Sequence, residues 1–271
     1  MDELTTIAYC GSPPVPGSVA WNTDPILIGI LAATAGLYAL GCRRSATVDG
    51  RRQASFYLGW AILAAALVSP LCNLSVALFS ARVAQHMILT LLAAPLVVLG
   101  QPGAALRALA PGWTLGRLGH AAERHLPAIA TIGFAVTLWT WHLPGPYDAT
   151  LRSDIVYWIM HLTTFAAALG LWHTLFSRME RVGSTILVSF ATTIQMSLLG
   201  ALLTLAPRPL FEPHAGTTWP WGLSPLDDQQ LGGVIMWVPG GLLFTLFGLA
   251  AIAVGLQRLG SAGPDPVVRG S

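Results

Sequence analysis

The apolar residues of this chain are grouped in long blocks separated by short polar stretches. A block of about 18 or more mainly apolar residues is long enough to cross a bilayer as an α-helix. Seven blocks approach or exceed this length, and glycine and alanine are frequent in several of them, which permits close helix packing. The predicted spans are 25–42, 55–72, 81–100, 127–143, 154–176, 183–206 and 230–256. The pattern therefore predicts an all-α bundle of seven transmembrane helices, forming a single membrane domain over residues 1–271.

The segments between the spans are short and hold no repeat or second domain. The loop 101–126 has room for a short surface helix, and the loop 207–229 is rich in proline and tryptophan. Residues 1–24 carry no basic region before an apolar core, so we expect an outer tail rather than a cleaved signal peptide. Residues 257–271 are the predicted inner tail.

Composition supports a protein with little mass outside the membrane. Hydrophobic residues make up 54% of the chain and charged residues only 10%, whereas a soluble domain carries roughly 25% charged residues. Membrane lipids are therefore the expected surroundings, and no nucleic-acid partner is expected. The localisation that this predicts is a membrane crossed several times. The absence of lysine is typical of GC-rich bacterial genomes, so we expect a bacterial plasma membrane.

The arginines predict the orientation of the bundle. All 14 basic residues are arginines, and eleven of them follow the first, third, fifth or seventh span. The remaining three are Arg82, Arg152 and Arg208. Because arginine is enriched on the cytoplasmic side, the N-terminus is predicted outside and the C-terminus inside.

Candidate ligands occupy one layer of the predicted bundle. At a rise of about 1.5 Å per residue, His86, His161 and Met236 lie roughly 8–10 Å below the outer surface on three different spans. His142 ends the fourth span at the same surface, where an interfacial anchor is the alternative role. Ionisable side chains inside a membrane are functional candidates, so we predict a metal site formed by His86 and His161 and completed by His142 or Met236.

Polar neighbours are predicted to support this site. Tyr157 lies one turn above His161 on the same helix face, and Gln85 precedes His86, so both are candidates for hydrogen bonds to the ligands. Asp227 and Asp228 precede the last span, where carboxylates are expected to cap a helix N-terminus, with a ligand role as the alternative for Asp228.

Other histidines and the cysteines are left with open roles. His173 lies near the inner surface beside Trp172, which suggests an interfacial position, and His214 lies in an outer loop. Cys10 and Cys72 both face the oxidising side, where a disulfide or two unpaired thiols are equally compatible with the sequence.

Imidazoles with nearby thioethers favour copper, especially Cu(I), over zinc, which prefers a closed set of four ligands. Two histidines on facing helices are also compatible with haem ligation. Motifs for nucleotide binding, nucleophilic catalysis and zinc proteolysis are not found, and no enzymatic activity is expected.

Four strings resemble the seven-helix CtaG family of cytochrome c oxidase assembly factors. They are QHM at 85–87, WHLPGPYDATL at 141–151, WIMHLTTFAAALGLWH at 158–173 and DDQQLGGVIMW at 227–237. The resemblance implies a role in maturing caa-type haem–copper oxidases, at the copper of the haem–copper centre. By position, the family's recurrent polar motifs fall on His86, His142, His161, His173, Asp228 and Met236.

Three functions are compatible with these observations. The first is an assembly factor that binds copper in the outer half of the membrane, with oxidase subunits and a copper donor on the outer face as partners. The second is a haem-binding membrane redox protein. The third is a metal-free chaperone for oxidase subunits, in which the histidines only pack between helices.

Overall fold

The computed structural model describes residues 8–110, 120–177 and 182–261, and these are helical with no β-strand. Eleven α-helices lie in these ranges, joined by one π-helical segment and two short 3₁₀ turns. The α-helices are α1 Pro25–Arg44, α2 Gly50–Val68, α3 Pro70–Ala77, α4 Phe79–Met87, α5 Ala94–Leu99, α6 Pro102–Leu109, α7 His120–Trp141, α8 Pro144–Arg152, α9 Asp154–Ser177, α10 Val182–Leu205 and α11 Pro225–Ser261.

Five segments are long and apolar enough to cross a membrane as continuous helices. They are Pro25–Arg44, Phe79–Leu99, Asp154–Ser177, Val182–Leu205 and Pro225–Arg258. Two further candidates are bent pairs, α2 with α3 at 49° and α7 with α8 at 72°. The described part of the chain thus holds five to seven crossings, so a multi-pass helical protein is confirmed, whereas the count of seven and the orientation stay predictions.

Proline explains both bends. Pro70 and Pro144 each occupy the first turn of a new helix. Proline is tolerated there because a backbone N–H in the first turn has no acceptor within the helix. The predicted span 55–72 is formed by two helices, because α2 ends at Val68 and Ser69 caps α3. α7 ends at Trp141, close to the predicted end of the fourth span at residue 143.

The third predicted span is interrupted by a π-helical segment, Ile88–Ala93, directly after His86 and Met87. Pro95 follows in α5 and cannot donate a backbone hydrogen bond to the preceding turn. Wider π-helical turns accommodate such a gap and occur often beside functional sites. The segment re-aims the helix immediately below His86.

Helices α10 and α11 pack closely because small residues face each other. A Cβ added at Gly200 would lie 2.5 Å from the Cβ of Trp237 and 3.0 Å from the carbonyl oxygen of Gly233. Only glycine permits this approach of the two backbones. The contact holds α11 against the bundle, and α11 also packs along α4.

Short helix α6 confirms the surface helix predicted within 101–126, although 111–119 lie outside the described residues. Its Ala105 packs against α1, where a Cβ on Gly41 would meet the Ala105 carbonyl. The helix therefore lies against the end of the bundle opposite to the histidine layer.

Candidate functional site

His86 and His161 face each other inside the bundle. α4 supplies His86 and α9 supplies His161, and their ring centroids are 5.1 Å apart in an edge-on arrangement. Their exposed fractions are only 5% and 4%. Two nitrogens that share one ion are at most about 4 Å apart, since metal–nitrogen bonds are near 2 Å. A centroid separation of 5.1 Å is compatible with that limit; metal binding itself stays a prediction.

Hydrogen bonding leaves one nitrogen of each ring without a protein partner. The Nδ1 of His161 lies 3.0 Å from the carbonyl oxygen of Tyr157, which only accepts, so Nδ1 carries the proton. The Nε2 of His161 then bears a lone pair, and it is buried without a partner, as is the Nε2 of His86. Buried polar atoms are normally paired, so these two nitrogens are available to bind a ligand.

His142 lies one layer further out. It is buried, its Nδ1 donates to the carbonyl oxygen of Leu138 at 2.7 Å, and its ring meets Phe79 edge-on at 6.2 Å. Phe79 begins α4, about two turns before His86. Within 8–110, 120–177 and 182–261, no three His, Cys, Asp or Glu side chains are grouped closely enough to hold one ion. The completion of the shell by His142 is therefore not seen in this arrangement.

Met236 lies on the face of α11 that packs against α4. Four residues before it, Gly232 approaches Phe79 and Ser80, and four residues after it, Gly240 approaches Leu91. Because α4 and α11 run in the same direction, Met236 lies between these levels, beside the stretch of α4 that carries His86. Its side chain is fully buried. The depth predicted for this thioether agrees with its packing.

Two of the predicted supporting residues, Tyr157 and Gln85, have specific partners. Tyr157 supports His161 through its backbone carbonyl, and its ring packs on the imidazole with centroids 4.1 Å apart. The amide nitrogen of Gln85 donates to the carbonyl oxygen of Ala66 at 2.7 Å, which joins α4 to α2. Their role in tuning a metal stays a prediction.

Asp228 caps a helix, but a different helix from the one expected. Its carboxylate accepts the backbone N–H of Phe79 at 2.7 Å and that of Ser80 at 3.2 Å, together with the Ser80 hydroxyl. These are first-turn donors of α4, whose own cap residue provides no side-chain bond. Asp227 fulfils the expected role at α11 by exchanging hydrogen bonds with Ser224. Asp228 thus positions the helix that carries His86.

Arg82 is a functional candidate that the predicted site did not include. It lies inside α4, within the predicted span 81–100, one turn before His86, and is only 1% exposed. It donates to the Thr150 hydroxyl and lies over the Tyr147 ring at 5.1 Å, while its Nε and Nη2 are buried without partners. Its spacing of four residues from His86 was the available signal.

A disulfide between Cys10 and Cys72 closes the outer end of the site and answers the question that the sequence left open. The hydroxyl of Tyr157 lies 3.3 Å from the Cys10 sulfur and 3.6 Å from the Cys72 sulfur. Tyr9 stacks on Tyr157 at 4.9 Å and donates a hydrogen bond to Asp24. The disulfide therefore holds the outer tail over the residue that packs on His161.

His214 and His173 lie outside the pair formed by His86 and His161. His214 is buried under the outer loop, where its Nε2 accepts from the Tyr147 hydroxyl at 2.6 Å and its Nδ1 donates to the Ala77 carbonyl at 3.2 Å. Burial lowers its pKa to about 3. His173 is exposed at the opposite end of the bundle. Its neighbour Trp172 is not interfacial as predicted, because it is buried and donates to the Thr90 carbonyl at 2.8 Å.

Comparison with known proteins identifies one relationship. The family model described as cytochrome c oxidase caa3 assembly factor, Caa3_CtaG, matches residues 36–258, which is most of the chain. No curated protein and no solved structure matches. The matched range includes the facing histidines, Arg82 and Asp228, but not Cys10.

Proposed function

The chain belongs to the family of cytochrome c oxidase caa3 assembly factors, and we propose that it carries copper as cargo for the oxidase copper centre. His86 and His161 bind one Cu(I) ion, received from a donor on the outer face, and Met236 is the candidate third ligand. An assembly factor acts on the oxidase, so the client is an oxidase subunit that receives the ion. The role requires transfer but no turnover chemistry.

The observation that carries this proposal is the pair of buried Nε2 atoms without protein partners. A histidine that only packs between helices would bond a neighbouring helix through its second nitrogen, as His214 does. Neutral imidazole is the form that binds metals, and burial between apolar helices favours the neutral form. Soft nitrogen and thioether donors suit Cu(I).

The charges around the pair favour a monovalent ion. Arg82 supplies a buried positive charge one turn from His86, and the described residues place no carboxylate with the two histidines. A divalent ion beside an arginine in low dielectric would be repelled about twice as strongly as Cu(I). Zinc also prefers four closed ligands, which this arrangement does not provide.

Haem is less well supported between these rings. It would require lateral room for a porphyrin between the two imidazoles, whereas the Tyr157 ring packs on the His161 imidazole with centroids 4.1 Å apart. A single ion needs no such room.

The test is anaerobic Cu(I) binding by purified protein in detergent, in competition with a coloured Cu(I) chelator. Wild-type protein is expected to bind one copper, and His86→Ala and His161→Ala are expected to lose it. His173→Ala, at the far end of the bundle, is the matched control and retains it. Equal binding by all four proteins would refute the site, and absence of copper from wild type would favour the metal-free chaperone.

A test in cells measures the copper content and the activity of the oxidase. A strain that produces His86→Ala is expected to assemble oxidase with less copper and proportionally lower activity, at unchanged levels of the variant protein. Normal copper content in that oxidase would separate the family's assembly role from copper transfer by these histidines.

A further inference from the structure

A cavity of about 1220 Å³ opens at the end of the bundle opposite to the facing histidines. It lies between the start of α2, the junction of α5 and α6, and the facing parts of α7 and α9. The arginine pattern predicts this end to be the cytoplasmic one. The cavity takes no part in the copper site, and it provides room for a ligand larger than an ion.

Two glycines shape its wall. Gly133 on α7 and Gly170 on α9 both line the cavity, and a Cβ added at either would meet no atom within 4 Å. This is the opposite of Gly200, which is needed for close backbone contact. Alanines and branched side chains form much of the remaining wall, among them Leu126, Ile129, Ala130, Ala166, Ala167 and Leu169. The wall is therefore mainly apolar.

The rim of the same cavity is basic. Arg51, Arg52 and Arg107 line it, together with His173 and Gln101. Among the described residues, no aspartate or glutamate lines the cavity. Arg107 belongs to α6, which lies across the end of the bundle, whereas Arg51 and Arg52 begin α2. Three arginines from two elements thus line one mouth.

We propose that this cavity binds an anionic phospholipid of the surrounding leaflet. The headgroup phosphate lies among the three arginines, whose planar forks match phosphate oxygens, and an acyl chain lies along the glycine-lined wall between α7 and α9. A basic mouth on an apolar cavity is complementary to an amphiphile with a negative head, and cytoplasmic leaflets are rich in such lipids. His173 lies between wall and rim, where its ring contacts the glycerol region.

The test uses purified, delipidated protein in detergent, titrated with phosphatidylglycerol or with phosphatidylcholine of identical acyl chains, and read by native mass spectrometry. Wild type is expected to bind one phosphatidylglycerol at least about tenfold more tightly than phosphatidylcholine, because the arginines attract a headgroup of net negative charge. The triple variant Arg51→Gln, Arg52→Gln, Arg107→Gln is expected to lose that preference. Arg43→Gln, Arg44→Gln is the matched control, since these arginines end α1 and do not line the cavity.

A second variant tests the wall separately. Gly170→Leu fills the cavity, and its Cβ meets no neighbouring atom. The variant is therefore expected to bind both lipids more weakly by the same factor, while its helical content and unfolding temperature stay near those of wild type. The proposal would be overturned if the triple variant and its control showed the same preference for phosphatidylglycerol over phosphatidylcholine. It would also be overturned if Gly170→Leu bound both lipids as tightly as wild type. Competition by inorganic phosphate at similar concentrations, or haem absorption that depends on His173, would also overturn it.

Discussion

Two groups of buried histidines lie in the same outer part of the bundle, and they differ in how their nitrogens are satisfied. His214 has a partner on each ring nitrogen, the Tyr147 hydroxyl and the Ala77 carbonyl. His86 and His161 each keep a buried Nε2 with no partner in the protein. Exposure does not distinguish the groups, since all three are at most 5% exposed. Hydrogen-bond completeness does, because an unpaired buried lone pair is costly unless something binds it.

The largest expected difference is in stability. His214→Ala leaves the Tyr147 hydroxyl and the Ala77 carbonyl without this imidazole, so we expect it to lower the free energy of unfolding by about 2–4 kcal/mol. His161→Ala, in copper-free protein, loses one intact hydrogen bond and is expected to cost only about half as much. Chemical unfolding of both variants in detergent measures the difference. A larger loss for His161→Ala would make that histidine structural and reverse the comparison.

The second difference is in pH dependence. Because the pKa of His214 is lowered to about 3 in the folded protein, only the unfolded chain binds a proton here between pH 6.5 and about 3. The contribution of His214 to the free energy of unfolding is complete above pH 6.5. It declines as the pH falls, by at most about 1.4 kcal/mol per pH unit. Unfolding at pH 7 and at pH 5 should show a smaller drop in His214→Gln than in wild type. An identical drop in both would mean that His214 is not buried as a neutral imidazole.

The third expected difference is in copper affinity, and it depends on the charge of Arg82 beside His86 and His161. Arg82→Met removes a buried cation one turn from His86, so Cu(I) is expected to bind about tenfold more tightly. Arg82→Lys keeps the charge and is the matched control, with affinity near wild type. Chelator competition measures both. Weaker copper binding in Arg82→Met alone would indicate that Arg82 organises the site instead of opposing the ion.

The smallest effect separates the two candidates for the third ligand. Met236→Leu preserves volume but removes the thioether, and we expect roughly fivefold weaker Cu(I) binding if sulfur is a ligand. His142→Ala is expected to change affinity less, because its contacts are with Leu138 and Phe79. Sulfur-edge X-ray absorption of the copper complex checks the assignment. The opposite ranking would restore His142 as the third ligand.

Much of this arrangement could be predicted from spacing along single helices. The depths of His86, His161 and Met236 follow from the rise per residue, and the support of His161 by Tyr157 follows from their separation of four residues. The expectations that Asp228 caps its own helix and that Trp172 is interfacial were wrong for one reason, which also kept Arg82 out of the predicted site. Each of these side chains bonds to another helix, which periodicity within one segment does not reveal.

The sequence by itself determined that the chain is apolar, helical and divided into membrane-length segments, because those properties depend on local composition and period. It also predicted the position of each histidine along its helix. Only the tertiary structure decided that His86 and His161 meet, that Cys10 joins Cys72, that Asp228 caps α4 and that His214 is fully hydrogen-bonded. These are contacts between segments that lie far apart in the chain. They depend on how helices rotate and pack against each other, which helix length and depth leave undetermined.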